Sequence, residues 1–384
     1  MKRITTILVF CVAALLGLGL VMLYSASVNM EVKSAQVGSR YLVAQLVWCA
    51  FGLIAAVVAA CIDYRRLKKI SPYLLAVSVF LLLLVFMPIV GIKAGGARRW
   101  IGVAPLHLRL GQPSELAKIA LIIFLAYYGE RFQRLMPNFR EGLMIPGLII
   151  AVTLGLIFVE PDRGCTILLA FVSAAMLVIA GARLSFIIPP ALVALVGLAF
   201  SLLHDPMRLK RILAWLHPEE NKDRVGYQAY QAMIAFGSGG WTGLGLGNGR
   251  QKLGFVPEHH TDFIFSIVGE ELGLIATLAV LLTFVVLIIC ATQIARRSSD
   301  TFGLLLGSGI TFLIGFQAFI NIGVVTSTLP NKGMPLPFIS YGGSNLLVML
   351  VGIGLLLSIS RFAVEPEKKQ TNPFEIPSPE LSDA

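Results

Sequence analysis

The chain has 384 residues, of which 57% are hydrophobic and only 14% charged, and its mean hydropathy is +0.82. This excludes a single soluble core and describes a polytopic membrane protein, since a helix needs about 20 mostly apolar residues to cross the hydrocarbon layer. The net charge of +10 points to acidic partners, and anionic lipid headgroups or a lipid-linked diphosphate suit loops at a membrane better than nucleic acid does.

Ten helical spans are expected, over roughly 5–25, 43–62, 72–91, 115–129, 143–159, 165–182, 184–203, 263–290, 303–326 and 344–361. The fold class is therefore all-α, with a membrane domain over 1–362 and a disordered tail over 363–384, which is polar and proline-rich. The first span follows Lys2 and Arg3 like a signal peptide, but no small-residue cleavage site follows LYSAS and an uncleaved helix is expected. Lys2 and Arg3, Arg65 to Lys69, Arg131 to Arg140, Arg183, and Arg296 with Arg297 fall in loops on one side, which the positive-inside rule makes cytoplasmic. Both termini are then inside, and 92–114 and the long loop 204–262 are outside. In that loop, Asp205 is placed to cap a short interfacial helix, with Met207, Ile212, Leu213 and Leu216 opposite Arg208, Lys210 and Arg211. The alternative is an extension of the seventh span. Cys11, Cys49, Cys61, Cys165 and Cys290 lie within or beside apolar segments without metal-like spacing and read as small hydrophobes.

Four polar constellations interrupt this pattern, all on the outer side. In GGARRWIGVAPLHLRLGQPSELAKIA, Ser114 is placed at a helix start, and Glu115 and Lys118 follow on one face. They are either a self-neutralising pair or, with Arg98 and Arg99, part of a phosphate grip, since guanidinium groups engage phosphate oxygens two at a time. In VEPDRGCT, Asp162 is either turn chemistry or a site residue. The segment from Tyr227 to Asp262 carries seven glycines between 237 and 249 but no GK[ST] ending, so a nucleotide loop is rejected in favour of a backbone lying close to a glycan or the membrane surface, or a plain flexible loop.

At the end of that segment, PEHHTDFIFSIVGEELG places Asp262 where a loop turns into a span, a setting that tunes a carboxylate as a general base. His259, His260 and Asp262 are too close in sequence to converge on one metal. Glu270 lies about 12 Å deeper and roughly 80° round from Asp262, with Glu271 roughly opposite, so the glutamates are expected to pair between helices rather than serve the same chemistry. The fourth constellation, LPNKGMPLPFISYGGSN, suggests an irregular buried segment with Lys332 and Ser344 facing a site.

Together, GARRWI with QPSELAK, EPD-x-G, YQ with GSGG and GLGLGNGRQK, PEHHTDFIFSIVGEELG, and KG with LPFISYGGS resemble the successive signatures of the SEDS family, the shape, elongation, division and sporulation proteins. The resemblance runs from about Leu23 to Phe362, and LYSAS leans toward the division branch. It implies a peptidoglycan glycosyltransferase that polymerises lipid II at the outer face of the bacterial cytoplasmic (inner) membrane, at the division septum. The implied partners are lipid II, the nascent glycan chain, membrane lipid, a class B penicillin-binding transpeptidase and other division proteins. The family's essential aspartate falls on Asp262, its ExxK pair on Glu115 and Lys118, its basic pair on Arg98 and Arg99, and its PD-x-G aspartate on Asp162. Arg163 and Cys165 depart from that last pattern, and Arg163 stands where it can pair with Asp162. A divalent cation, Mg or Mn, on the diphosphate is compatible with the family chemistry, although no ligand set in the sequence demands it. Outside the resemblance, a lipid II transporter would also need intramembrane charges and broken helices, and a non-catalytic scaffold for the transpeptidase would need neither base nor phosphate grip.

Overall fold

The computed structural model describes residues 1–28, 37–87, 91–94, 97–103, 108–204, 206–217, 220, 226–253 and 260–363. Among them are twelve α-helices: α1 (Lys2–Val28), α2 (Val37–Cys61), α3 (Leu67–Val85), α4 (Pro113–Arg131), α5 (Ile145–Val159), α6 (Arg163–Ile179), α7 (Leu184–Leu203), α8 (Pro206–Leu216), α9 (Tyr227–Gly239), α10 (Ile264–Arg296), α11 (Thr301–Val325) and α12 (Gly343–Arg361). Each of the ten expected spans falls on a helix. Eight described helices are long and apolar enough to cross a membrane; α6 is apolar but shorter, and α4 carries Glu115, Lys118, Glu130 and Arg131 in its 19 residues. The chain is a multi-pass membrane protein.

Its centre is α4, α11, α12 and the first turns of α10, where most side chains are buried. Small residues let these helices approach closely, as apolar surface alone gives no drive for association in lipid: Gly354 lies against the backbone of Ala56, and Gly309 against Met176 and Ile122. By contrast, no described side chain of α7 is buried. Of the expected tail over 363–384 all but Ala363 lies outside the described residues, as does the cap residue Asp205. The short helix α8 is a separate helix rather than an extension of α7, and Trp215 fastens it by donating from Nε1 to the carbonyl of Ser327 at 2.8 Å.

Two features correct the sequence reading. The third span ends at Val85 rather than 91, and the chain continues into an antiparallel sheet in the order β1 (Gly91–Ala94), β2 (Ala97–Val103) and β3 (Leu108–Gly111). Its register pairs Ile92 with Trp100 and Ile101 with Gly111. The strands are short and interrupted by bulges, so they carry no clear period of two to announce them.

The second correction concerns the glycine-rich segment, for which a plain flexible loop is one expectation and which is instead bonded to α10. At 33 residues α10 is about 50 Å long, well beyond a ~30 Å hydrocarbon core, and it is broken at Gly273, whose φ of 76° is left-handed. A break orphans carbonyls before it and N–H groups after it. The glycine segment satisfies both sets: Leu244 and Gly245 donate to the carbonyls of Glu270 and Glu271 at 3.0 and 2.9 Å, while Leu274 and Ile275 donate to Gly240 and Trp241 at 2.9 and 3.2 Å. A side chain at Gly243, where φ is 79°, would strike the Glu271 carbonyl.

The basic loops meet at one end of the bundle. Lys68 bridges Glu130 at 2.7 Å and Asp300 at 3.1 Å, and Asp300 also accepts from Tyr64 and caps α11 through the N–H of Gly303. Among the described cysteines, Cys11, Cys49, Cys165 and Cys290 are buried as expected of small hydrophobes, whereas Cys61 is exposed at the end of α2.

Candidate functional site

At the opposite end, α4 begins at Pro113, a residue suited to a first turn because its missing N–H would be unpaired there. The turn presents Glu115 and Lys118 inward, their carboxylate and ammonium 2.8 Å apart and their side chains only 9% and 3% exposed. Neither ion is left to its partner alone. Asn345 on α12 donates to the second carboxylate oxygen of Glu115 at 3.0 Å, and Lys118 donates to Gln317 on α11 at 3.4 Å. Gln317 in turn donates to Asn345 and to the carbonyl of Pro335. Such satisfaction is what a buried pair requires, because desolvation takes several kcal/mol per ion.

Asp162 precedes α6 and accepts from the N–H of Cys165 with Oδ1 at 3.2 Å, so it caps that helix. Its other oxygen accepts from the side chain of Gln112 at 3.1 Å, and Ser344 accepts from the backbone of Gln112 at 3.3 Å. The guanidinium of Arg163 lies over the Phe158 ring, 4.9 Å from its centroid. Arg99, on β2, donates to the carbonyls of Glu160 and Pro161 at 3.2 and 2.7 Å and so grips the turn between α5 and α6. The backbone of Arg98 is in β2, but its side chain lies outside the described residues.

The irregular segment 329–342 joins this cluster to Asp262. On one side, the side chain of Lys332 lies against Gly164, where an added Cβ would sit 3.2 Å from Cε, with Asp162 beside it. On the other, the Asp262 carboxylate packs on Gly333. The segment is pinned by Asn321, which donates to the carbonyls of Asp262 at 2.8 Å and Met334 at 2.6 Å. Burial pulls the Lys332 ammonium down to about 8, with Arg163 and Arg99 adding to the shift and Asp162 opposing it. The His260 ring packs against Tyr41 at a 45° tilt with centroids 4.8 Å apart, while His259 lies outside the described residues. Among the described residues no three His, Cys, Asp or Glu side chains stand together as a metal cage.

Glu270 and Glu271 stand apart from this mouth. Glu270 accepts from the N–H groups of Arg250 and Gln251, and Glu271 from Gly247, from Ser25 on α1 and from Lys252 at 2.6 Å. They bind the glycine segment and α1 to α10 rather than facing Asp262. The sequence reading passed over Gln112, Gln317, Asn321 and Asn345; the signal was present, as three of them are polar side chains within or at the start of apolar spans.

The sequence model described as "Cell cycle protein", FtsW/RodA/SpoVE, matches residues 6–365. A probable peptidoglycan glycosyltransferase FtsW of Trichlorobacter lovleyi is 42% identical over 354 residues, covering 92% of both chains. Stage V sporulation protein E of Bacillus subtilis is 38% identical, covering 93% of this chain and 97% of its own. Among solved structures, the rod shape determining protein RodA of Thermus thermophilus superposes with a TM-score of 0.66 at 28% identity, covering 94% and 97% of the two chains. A chain from a peptidoglycan synthase complex, described as coordinating polymerization and crosslinking, superposes at 0.73 and 28% identity, covering 92% and 96%.

Proposed function

Because the chain belongs to the FtsW/RodA/SpoVE family of cell cycle proteins, we propose that it is a peptidoglycan glycosyltransferase that polymerises lipid II into β-1,4 glycan chains during cell division. The carrying observation is the segment Lys332–Met334, which has Asp262 on one side and the Asp162 cluster on the other. That arrangement suits a displacement needing a base at one end and a leaving-group site at the other.

Asp262 takes the proton of the acceptor GlcNAc 4-hydroxyl, whose oxygen attacks C1 of the MurNAc at the reducing end of the donor chain. The C1–O bond to the lipid diphosphate breaks, the electron pair leaves with the diphosphate, and the anomeric centre inverts. Lys332, Lys118 and Arg99 supply positive charge on the leaving-group side, with Arg98 as the family resemblance implies. Asn321 fixes the backbone that carries Asp262, and Glu115 holds Lys118 charged and oriented. Among the described residues no three-ligand metal cage is present, and a divalent cation carried by the diphosphate would need only one or two carboxylates here.

The proposed setting is the bacterial inner membrane at the septum, with both termini cytoplasmic and the site outside. The clustering of Lys68, Arg65 and Asp300 at the end away from Asp262 supports this orientation. A transpeptidase partner is inferred from the relative solved in a complex for polymerization and crosslinking.

The test is polymerisation of labelled lipid II by the purified protein, with and without a class B transpeptidase, for wild type, Asp262→Ala and Asp262→Asn. Glycan chains from wild type and a loss of at least about a hundredfold in both folded variants are expected. Undiminished synthesis by either variant rejects Asp262 as base. Silence of the wild type with its partner favours a transporter or scaffold.

A further inference from the structure

Glu160, the residue that caps α5 at its C-terminal end, is a buried acid without a part in the proposed displacement. Its side chain is 1% exposed, and both carboxyl oxygens are buried without a hydrogen-bond partner among the described residues. Burying a polar group unpaired is unfavourable in a protein interior, so such a group calls for a missing partner. The fold does not need a carboxyl here. The turn is held without it, by the N–H of Glu160 donating to the carbonyl of Leu156 and by the Arg99 guanidinium donating to the carbonyls of Glu160 and Pro161.

The surroundings say what partner fits. Arg99 on β2 bonds the carbonyls of Glu160 and Pro161, Asp162 two residues on caps α6, and Lys332 lies with Asp162 against Gly164, so the orphaned carboxyl belongs to a turn ringed by cations. We propose that Glu160 is a protonated hydrogen-bond donor to the diphosphate of the lipid-linked donor, reached when Arg99 transfers its N–H groups from the Glu160 and Pro161 carbonyls to phosphate. This rests on the glycosyltransferase reading and adds to it a neutral acid among the cations. Burial, with the negative charge of Asp162, pushes Glu160 up to about 8 against the pull of Arg99, so the acid keeps its proton at neutral pH. An arriving diphosphate favours the protonated form further.

A distinctive pH behaviour follows. Above about 8 Glu160 gains a negative charge and Lys332 loses a positive one, and both changes oppose diphosphate binding. Affinity then falls with two protons rather than one.

The experiment measures binding of undecaprenyl diphosphate to the full chain in nanodiscs between pH 6 and 10, alongside lipid II polymerisation. Wild-type affinity should fall about a hundredfold per pH unit on the alkaline limb, and Glu160→Gln or Lys332→Arg about tenfold per unit. Glu160→Leu, which is similar in size but cannot donate, should bind roughly ten- to a hundredfold more weakly at pH 7, with Gln recovering most of that loss. A two-proton limb retained in Glu160→Gln, or equal affinity of Leu and wild type at pH 7, overturns the assignment while the polymerase reading stands. A wild type that neither binds the diphosphate nor polymerises removes both.

Discussion

Lys118 and Glu115 show how far single residues in this protein depend on their partners. The pair is nearly dry, so truncating one member leaves the other charged, buried and unpaired, which is unfavourable by about 3–5 kcal/mol. Lys118→Met should therefore lower the thermal midpoint in detergent more than Lys118→Met combined with Glu115→Gln, and neither variant should polymerise lipid II at wild-type rate. If the double variant is no more stable than the single one, the two side chains are not energetically a pair. The spacing of these residues was legible in QPSELAK because a three-residue offset on a helix puts two side chains on one face. Their further partners were not legible. Gln317 and Asn345 meet the pair across about 200 residues of chain, and no local pattern encodes such a contact. Asn321, which reaches the carbonyl of Asp262, was hidden for the same reason.

At the scale of elements, apolar runs announced every span, because length and hydropathy suffice to specify a membrane helix. They did not announce the break in α10, since GEELGL continues an otherwise helical pattern and the segment that repairs the break lies about 30 residues earlier. Its glycines differ in what they do, and that difference is measurable. Gly243 has φ of 79° and no room for a Cβ beside the Glu271 carbonyl, whereas Gly247 has φ of 84° but open space around it. Gly247→Ala should lose only the strain of a left-handed alanine, about 1 kcal/mol. Gly243→Ala should lose clearly more, by thermal unfolding, and should reduce polymerisation by displacing the half-helix that follows Asp262. Equal effects would mean that the segment does not staple the break. The sheet between α3 and α4 escaped prediction for a related reason: its strands have four, seven and four residues, and short strands become recognisable only once paired.

For the molecule as a whole, the two ends divide the work. One holds Asp262, Lys332 and the Asp162 turn; the other is a polar latch that joins the loops before α3 and α11 to the end of α4. Burial alone would raise the Asp300 carboxyl, but the Tyr64 hydroxyl, the Gly303 N–H and Lys68 outweigh it and hold it below the usual carboxylate range. A depressed folded-state value contributes stability that is complete above the unfolded value near about 4 and is lost as pH falls through the folded one. Thermal midpoints of the wild type should therefore drop on acidification below about pH 4, and the drop should be smaller in Asp300→Asn; identical profiles would remove the latch from the acid response. The stapled break carries a further consequence for how the protein is made. Everything that repairs it, Ser25 on α1 and the glycine segment included, precedes Gly273 in the chain, so a nascent polypeptide carries the repair kit before it synthesises the fault. The wall against which Asp262 packs arrives only with Lys332–Met334. A product stalled before that point would be threaded, stapled and anchored in the bilayer, yet catalytically silent.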